Sequence, residues 1–323
     1  MDDLHEPFLP KEKVLKERIH IYNPFIIILI IILIIIFHIT IKKNRIKKYM
    51  NNYISFPVHQ FNQSKILRVK IKDIAAYNDV WRGHWCPYYN DRMEFLTPRI
   101  NEFLQYIRSY KIPVIYISFA AEASMKYYPQ RIFAQKYIHK SHSIFHNFTA
   151  YPNESYNEYI PGFVDECNGF SNSKFSHYRD NDFAKPIAIS SRDLFVADFK
   201  EGVKVANSLK VKYLLLTGDH TNMCLMHIMI YCQKIGIIPI LVKDLSDSAW
   251  TYNAQKLTLQ SHSQSNSVVN NYIENKMGMT SISYDIISSF ESSNLTIQKV
   301  RYSLNLRYCR IFKKLAGHIS RMS

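Results

Sequence analysis

The chain has 323 residues, 47% of them hydrophobic, enough for one globular domain of roughly 200–250 residues with flanking segments. Its formal net charge of +15 makes nucleic acid and anionic membrane the partners to consider. The five cysteines are scattered and odd in number, with no CxxC or zinc-finger spacing, which excludes a disulfide framework and favours a reducing compartment.

A polar tail of mixed charge, residues 1–23, precedes a strongly apolar segment, residues 24–41. As a helix, the seventeen residues from Phe25 to Ile41 would extend roughly 25 Å, near the lower limit for crossing a bilayer. A signal peptide would be followed by a cleavage site of small residues, whereas a run of Lys and Arg follows here. We therefore predict one transmembrane helix over residues 24–41, in preference to a signal peptide or a buried helix.

Residues 42–64 are predicted to be a basic juxtamembrane segment and linker. Because this basic cluster lies on the carboxyl side of the predicted span, the positive-inside rule favours a single-pass membrane protein whose main domain is cytosolic. Four N-x-S/T sequons argue for the opposite orientation, although a chain rich in Asn and Ser forms several by chance. The main domain is expected over residues 65–295.

Strand and helix patterns alternate through this domain, as in α/β folds. The first strand, Ile74 to Asn78, ends at Asp79, and Thr97-Pro98 is typical of a helix start. Residues 139–180 are rich in Asn, Ser and Tyr and are predicted to form a long surface insertion that could cover a pocket. The other predicted strands are Pro113–Phe119, Ile187–Ile189, Tyr213–Leu216, Ile237–Val242 and Thr280–Tyr284, and the other predicted helices are Asp198–Leu209, Cys224–Lys234 and Ser267–Asn275.

The last segment, residues 296–323, is basic and contains no acidic residue. Its apolar residues fall on one helical face, so an amphipathic helix on a lipid surface and a disordered solvated tail are both compatible with it. No RNA- or DNA-binding motif accompanies the charge, and we predict no specific nucleic-acid partner.

The centre of the domain is the stretch from Leu214 to Trp250. An apolar strand ends at Thr217-Gly218, a polar turn follows, Cys224 begins a helix, and a second apolar strand follows Gly236, which predicts a βαβ unit. Chemistry in such sheets lies in loops after the strands. A cysteine in the first helical turn lies at the positive end of the helix dipole, which favours the thiolate, although free cysteines are also common as core residues.

Three residues could meet at the carboxyl edge of one sheet and form a catalytic set: Asp79, Lys185 and Cys224. Asp79 would take the thiol proton from Cys224, and a lysine would stabilise both anions. Backbone amides around His220 and Cys224 could bind the oxyanion of a tetrahedral intermediate. Lys174 is the alternative to Lys185, and a solvated surface lysine is a third possibility.

Two motifs resemble the isochorismatase-like cysteine hydrolases, a superfamily that includes nicotinamidases. TGDHTNMC, ending at Cys224, is similar to their nucleophile loop, and NDVWRGHWC, containing Asp79, is similar to the WD-x-HWC signature of one branch. The resemblance implies a three-layer α/β fold whose mostly parallel, six-stranded Rossmann-like sheet carries helices on both faces. It also implies an Asp-Lys-Cys triad and a cis peptide in the loop of Asp219, His220 and Thr221, at Asp219–His220.

The tryptophans and histidine of the second motif, Trp81, His84 and Trp85, are predicted to line the pocket, with packing beneath the first loop as the alternative. The chain lacks the Asp-x-His motif and further histidine of metal-binding nicotinamidases, so we predict neither metal nor cofactor. The expected function is a membrane-anchored hydrolase that cleaves a small amide or related C–N bond through a cysteine acyl-enzyme. A homo-oligomer is compatible with this. The alternative is a catalytically silent, membrane-tethered binding or scaffold domain.

Overall fold

The computed structural model describes residues 29–41, 52–80, 87–118, 125–140, 163–165, 187–248, 250–252 and 259–293. The chain divides into two compact units, one formed by Met1–Asn51 with Ile297–Ser323 and the other by Asn52–Thr296.

In the first unit the described residues form one helix, residues 29–41. Within the described residues no helix is long and apolar enough to cross a membrane, so the predicted transmembrane helix over residues 24–41 is wrong. The cytosolic location of the main domain is not tested by the structure and stays a prediction. Lipid contact by residues 296–323 stays a prediction, because that segment lies outside the described residues.

The second unit is built on one mixed sheet of eight strands in the order β2-β1-β10-β8-β7-β3-β4-β6. The strands of this sheet are β1 Tyr53–Gln60, β2 Gln63–Lys70, β3 Ile74–Asp79, β4 Val114–Ile117, β6 Leu194–Val196, β7 Tyr213–Asp219, β8 Ile238–Asp247 and β10 Met279–Ser281. The helices are α1 Pro87–Ser109, α2 Pro129–Lys140, α3 Phe199–Ser208, α4 Cys224–Lys234, α5 Leu259–Lys276 and α6, residues 283–293. Two further strands, β5 Phe163–Asp165 and β9 Trp250–Tyr252, pair with each other.

The α/β class is as expected, but the prediction of a six-stranded, mostly parallel sheet is wrong, because β1 and β2 add an antiparallel hairpin at one edge. These strands lie mainly within residues 42–64, which were predicted to be a linker. Phe61 and Asn62 connect them with φ values of 51° and 55°, the left-handed backbone that a two-residue hairpin turn requires. The buried apolar residues of β1 are Ile54, Phe56 and Val58. Such a short alternation, interrupted by Pro57, gives a weak strand signal.

Hydrophobic cores cover both faces of the sheet, because successive side chains of each strand point to opposite sides. Ala75 and Tyr77 of β3 pack in the core that contains residues of α2, α3, α4 and α5. Ile74 and Ala76 pack in the other core, with residues of α1 and α6. Burying each large aliphatic side chain contributes about 1.5–3 kcal/mol, so the two helix layers fix the positions of the strand ends.

Three local predictions differ from the structure. Residues 187–190 contain no strand, and the edge strand forms at Leu194–Val196 instead. Helix α1 begins at Pro87, well before the predicted start, and contains Pro98 within its length. Helix α6 follows the last strand, where no helix was predicted. Proline supplies a start signal in many helices, but here the apolar stripe of α1 against the sheet overrides the local preference.

Candidate active site

Two neighbouring parallel strands bring Asp79 and Cys224 together. Asp79 is the last residue of β3 and lies opposite Gly218 of β7 in the strand register. The chain leaves β7, forms a short loop and begins α4 at Cys224. The Asp79 carboxylate lies near enough to Cys224 to raise the pKa of its thiol. Asp79 is only 1% exposed, so its charge acts on the sulfur from inside the protein.

Gly218 allows the loop to approach the end of β3. Its φ is +100°, and a Cβ built on it would lie 2.1 Å from the backbone oxygen of Asp79. Any side chain would therefore clash with backbone that cannot rotate away, besides straining a left-handed conformation. The glycine of the TGDHT turn thus sets the distance between the two strand ends on which the site depends.

The loop between β7 and α4 folds around the sulfur. The peptide bond between Asp219 and His220 is cis, at the place that the resemblance implies. The backbone of His220 lowers the pKa of the Cys224 thiol. The carbonyl oxygen of His220 accepts hydrogen bonds from the amides of Met223 at 3.0 Å and Leu225 at 3.1 Å. His220 therefore joins the loop to the first turn of the helix that carries the thiol.

The electrostatic environment holds Cys224 as a neutral thiol in the resting protein. Burial raises the pKa of the thiol well above its ordinary value, and the charge of Asp79 raises it further. The His220 amide acts in the opposite direction and lowers the pKa. Residue Cys224 nevertheless keeps partial solvent exposure. The dipole of α4 favours a thiolate, but burial and the carboxylate outweigh it, so a base must remove the proton when the sulfur reacts.

His220 is itself uncharged near neutral pH. Its side chain is 5% exposed, and burial lowers its pKa from 6.5 to about 4. Asp247 raises this pKa, whereas Arg92 and His262 lower it. A neutral imidazole can fix the loop by packing and hydrogen bonding, but its pKa is too low for proton transfer at physiological pH.

A second polar cluster lies beside this loop and was not predicted. Asp247, at the end of β8, accepts a hydrogen bond from Arg92 Nε at 2.6 Å, and its other carboxylate oxygen lies 2.6 Å from His262 Nε2. Asn266 Nδ2 donates to the same carboxylate at 2.9 Å. The partners of Asp247 come from helices distant in the chain, so nothing local in the sequence identifies this cluster.

The remaining predicted site residues, Lys185 with its alternative Lys174, and the pocket residues Trp81, His84 and Trp85, lie outside the described residues. Over the described part of the chain, no group of three or more His, Cys, Asp or Glu side chains is placed to hold a metal ion.

Comparison with known proteins gives structural likeness without sequence likeness. No protein-family model matches the chain, and no curated protein matches it significantly. A cysteine hydrolase from Pseudomonas syringae pv. phaseolicola 1448A superposes with a TM-score of 0.45 at 14% identity, over 70% of this chain and 95% of that one. An isochorismatase family protein from Burkholderia thailandensis gives 0.41 at 12% identity, over 68% and 96%. An isochorismatase from Pseudomonas putida KT2440 gives 0.40 at 9% identity, over 67% and 91%.

Proposed function

We propose that this protein is a cysteine hydrolase of the isochorismatase-like type, which cleaves a small amide or a related C–N bond through an acyl-enzyme. The observation that carries the proposal is that the strand register places Asp79, at the end of β3, beside the end of β7, from which the chain leads into Cys224 at the start of α4. A buried acid beside a partly exposed thiol is the pair that nucleophilic catalysis needs. The motifs TGDHTNMC and NDVWRGHWC support the same reading.

In the first half of the reaction, the thiol proton of Cys224 passes to the Asp79 carboxylate as the sulfur attacks the carbonyl carbon. The carbonyl oxygen takes up the displaced electron pair and becomes an oxyanion. When the tetrahedral intermediate collapses, the C–N bond breaks and the leaving nitrogen takes the proton from Asp79. The products of this half are the free amine or ammonia and a thioester on Cys224.

In the second half, water attacks the thioester carbon, and Asp79 accepts a proton from this water. The sulfur leaves and regains the proton, and the carboxylic acid is released. Because Cys224 is the first residue of α4, its own amide and that of His220 lie close to the sulfur and are the donors we assign to the oxyanion. Lys185 is proposed to stabilise the charges of Asp79 and the sulfur.

Turnover and trapping test this proposal together. The full-length protein is incubated with a panel of small primary amides and ureas, and ammonia release is measured with and without hydroxylamine, which converts a thioester to a hydroxamate. We expect a substrate in this panel whose turnover is lost in Cys224→Ala and Asp79→Asn. Cys232→Ala is the matched control, since Cys232 is a fully buried cysteine on the same helix.

Full turnover by Cys224→Ala on such a substrate would rule out the acyl-enzyme. Equal loss in Cys232→Ala would attribute the effect to misfolding rather than to chemistry. The absence of turnover, combined with a Cys224 that small electrophiles do not modify, would leave a catalytically silent domain of the same fold.

A further inference from the structure

The last residue of β8, Asp247, contacts the loop that connects β7 to Cys224. Asp219 and Asp247 are register partners across β7 and β8, after an irregularity in the pairing between Leu216 and Gly218. On the far side of the cis peptide, the backbone N–H of Thr221 donates to the carbonyl oxygen of Asp247 at 2.7 Å. The main chain of Asp247 therefore contacts the loop on both sides of His220.

The carboxylate of Asp247 ties this main chain to helices on opposite faces of the sheet. Arg92 belongs to α1, whose apolar side packs in one core, and His262 and Asn266 belong to α5, whose apolar side packs in the other. Asn266 also accepts a hydrogen bond from the backbone N–H of Ser248 at 2.8 Å. Asp247 is 6% exposed, and its carboxylate contacts Arg92, His262 and Asn266. Its position is therefore fixed by helices on both faces of the sheet.

We propose that Asp247 is a positioning residue for the nucleophile: with Arg92, His262 and Asn266 it holds the Asp219–Thr221 loop against the first turn of α4, where Cys224 lies. The hydrogen bonds are continuous. They run from the two helices to the Asp247 carboxylate, from its backbone oxygen to Thr221, and from the His220 carbonyl to the amides of the first turn of α4. Asp247 itself touches neither sulfur nor substrate in this assignment. The inference rests on the proposed function only in taking Cys224 as the nucleophile.

The low pKa of the Asp247 carboxyl agrees with this assignment. Burial alone would raise that pKa, but hydrogen bonding from His262 and the charge of Arg92 hold it well below its usual range. The carboxylate therefore stays ionised throughout the physiological pH range. Among the described residues, the charged and titratable groups around the loop are Arg92 from α1, His262 from α5, Asp247 from β8, Asp79 from β3, Cys224 from α4, and Asp219 with His220 from the loop itself.

The variant Asp247→Asn distinguishes positioning from a simple charge effect, because the two explanations predict opposite changes in the rate at which Cys224 is alkylated. Loss of a nearby negative charge alone would lower the pKa of the Cys224 thiol and speed its alkylation. Displacement of the loop withdraws the His220 amide from the sulfur, which raises the thiol pKa and slows alkylation at pH 7. We expect the second result, with a rate of iodoacetamide labelling at Cys224 about tenfold lower, as for loss of one hydrogen bond to an anion.

Asp193→Asn is the matched control. Asp193 forms a bridge of the same kind, accepting from Arg108 Nη2 at 2.8 Å, but it precedes β6 and lies away from the loop. A second pair of variants avoids dependence on one substitution. His262→Gln retains a side-chain donor, and Cys224 in this variant is expected to be labelled at the wild-type rate. His262→Phe keeps a ring without a donor, and Cys224 in this variant is expected to be labelled slowly. Thermal unfolding is measured for every variant, and labelling at Cys224 is mapped by mass spectrometry.

Slower labelling in Asp247→Asn and His262→Phe, with wild-type rates in Asp193→Asn and His262→Gln, supports the positioning role. Unchanged or faster labelling in Asp247→Asn overturns it while leaving Cys224 as nucleophile. Equal slowing in Asp193→Asn also overturns it, since general destabilisation would then be the cause. A wild-type Cys224 that is not labelled even at pH 11, where alkylation no longer depends on a base, refutes the proposed function instead.

Discussion

Replacing Asp79 with asparagine separates the two consequences of its contact with Cys224. The Asp79 carboxylate is the base that would accept the thiol proton, and its charge raises the pKa of Cys224. Asparagine has nearly the same shape but no charge and cannot accept a proton in catalysis. We therefore expect Asp79→Asn to be a dead hydrolase whose thiol is nevertheless more acidic, and so more reactive toward a simple alkylating agent.

The size of the effect follows from Coulomb's law. Two unit charges about 4 Å apart interact by about 4 kcal/mol at an effective dielectric constant of about 20, which corresponds to about three pKa units. Cys224 keeps partial solvent exposure, which screens the interaction, so the pKa of the thiol should fall in Asp79→Asn by less than this full value. Because thiolate is the alkylated species, the labelling rate at pH 7 should rise about tenfold or more.

The assay is the rate of iodoacetamide labelling at Cys224 from pH 6 to 11, read by peptide mass spectrometry, with Cys232 as the internal buried thiol. Burial raises the pKa of Cys232 as well, and no carboxylate contributes to its shift, so Asp79→Asn should leave it unchanged. An unchanged or higher thiol pKa at Cys224 in Asp79→Asn would refute the reasoning, since it would show that the carboxylate does not act on the sulfur.

Two further predictions concern the loop. Gly218→Ala should lower the free energy of unfolding by several kcal/mol and slow labelling of Cys224, because the added Cβ meets the Asp79 backbone at 2.1 Å. The control Gly236→Ala, where φ is +75° and the space around the residue is open, should cost only about 1 kcal/mol. If urea denaturation gives the two variants similar losses of stability, the steric account is contradicted. His220 has a folded pKa of about 4 against 6.5 unfolded, so the unfolded state binds more protons between these values. Stability should be fully present above pH 6.5 and fall by up to about 3 kcal/mol as the pH drops toward 4. The variant His220→Gln, which keeps the backbone amide, should flatten this pH dependence. If the free energy of unfolding of this variant, measured in urea, falls toward pH 5 as steeply as that of the wild type, the histidine is not the buried neutral group responsible.

Part of the site could be predicted from the sequence because the relevant signals are local. A run of apolar residues ending in Asp79, and another followed by Gly218 and Cys224, indicate two strand ends with polar groups after them. Parallel strands place such ends on one edge, so a meeting of acid and thiol was a reasonable expectation. The weak alternation of β1 and the proline within α1 gave misleading local signals, which is why the hairpin and the helix start were missed.

Only the tertiary structure decided which strands are neighbours and which side chains meet between elements. Asp247 and Arg92 are 155 residues apart, and their contact depends on the packing of α1 and β8 rather than on any spacing in the chain. The protonation state of Cys224 was likewise undetermined, because position at a helix start favours the thiolate whereas burial and Asp79 favour the thiol. Local sequence thus specified the reactive groups, and the packing of distant segments specified their charges and their support.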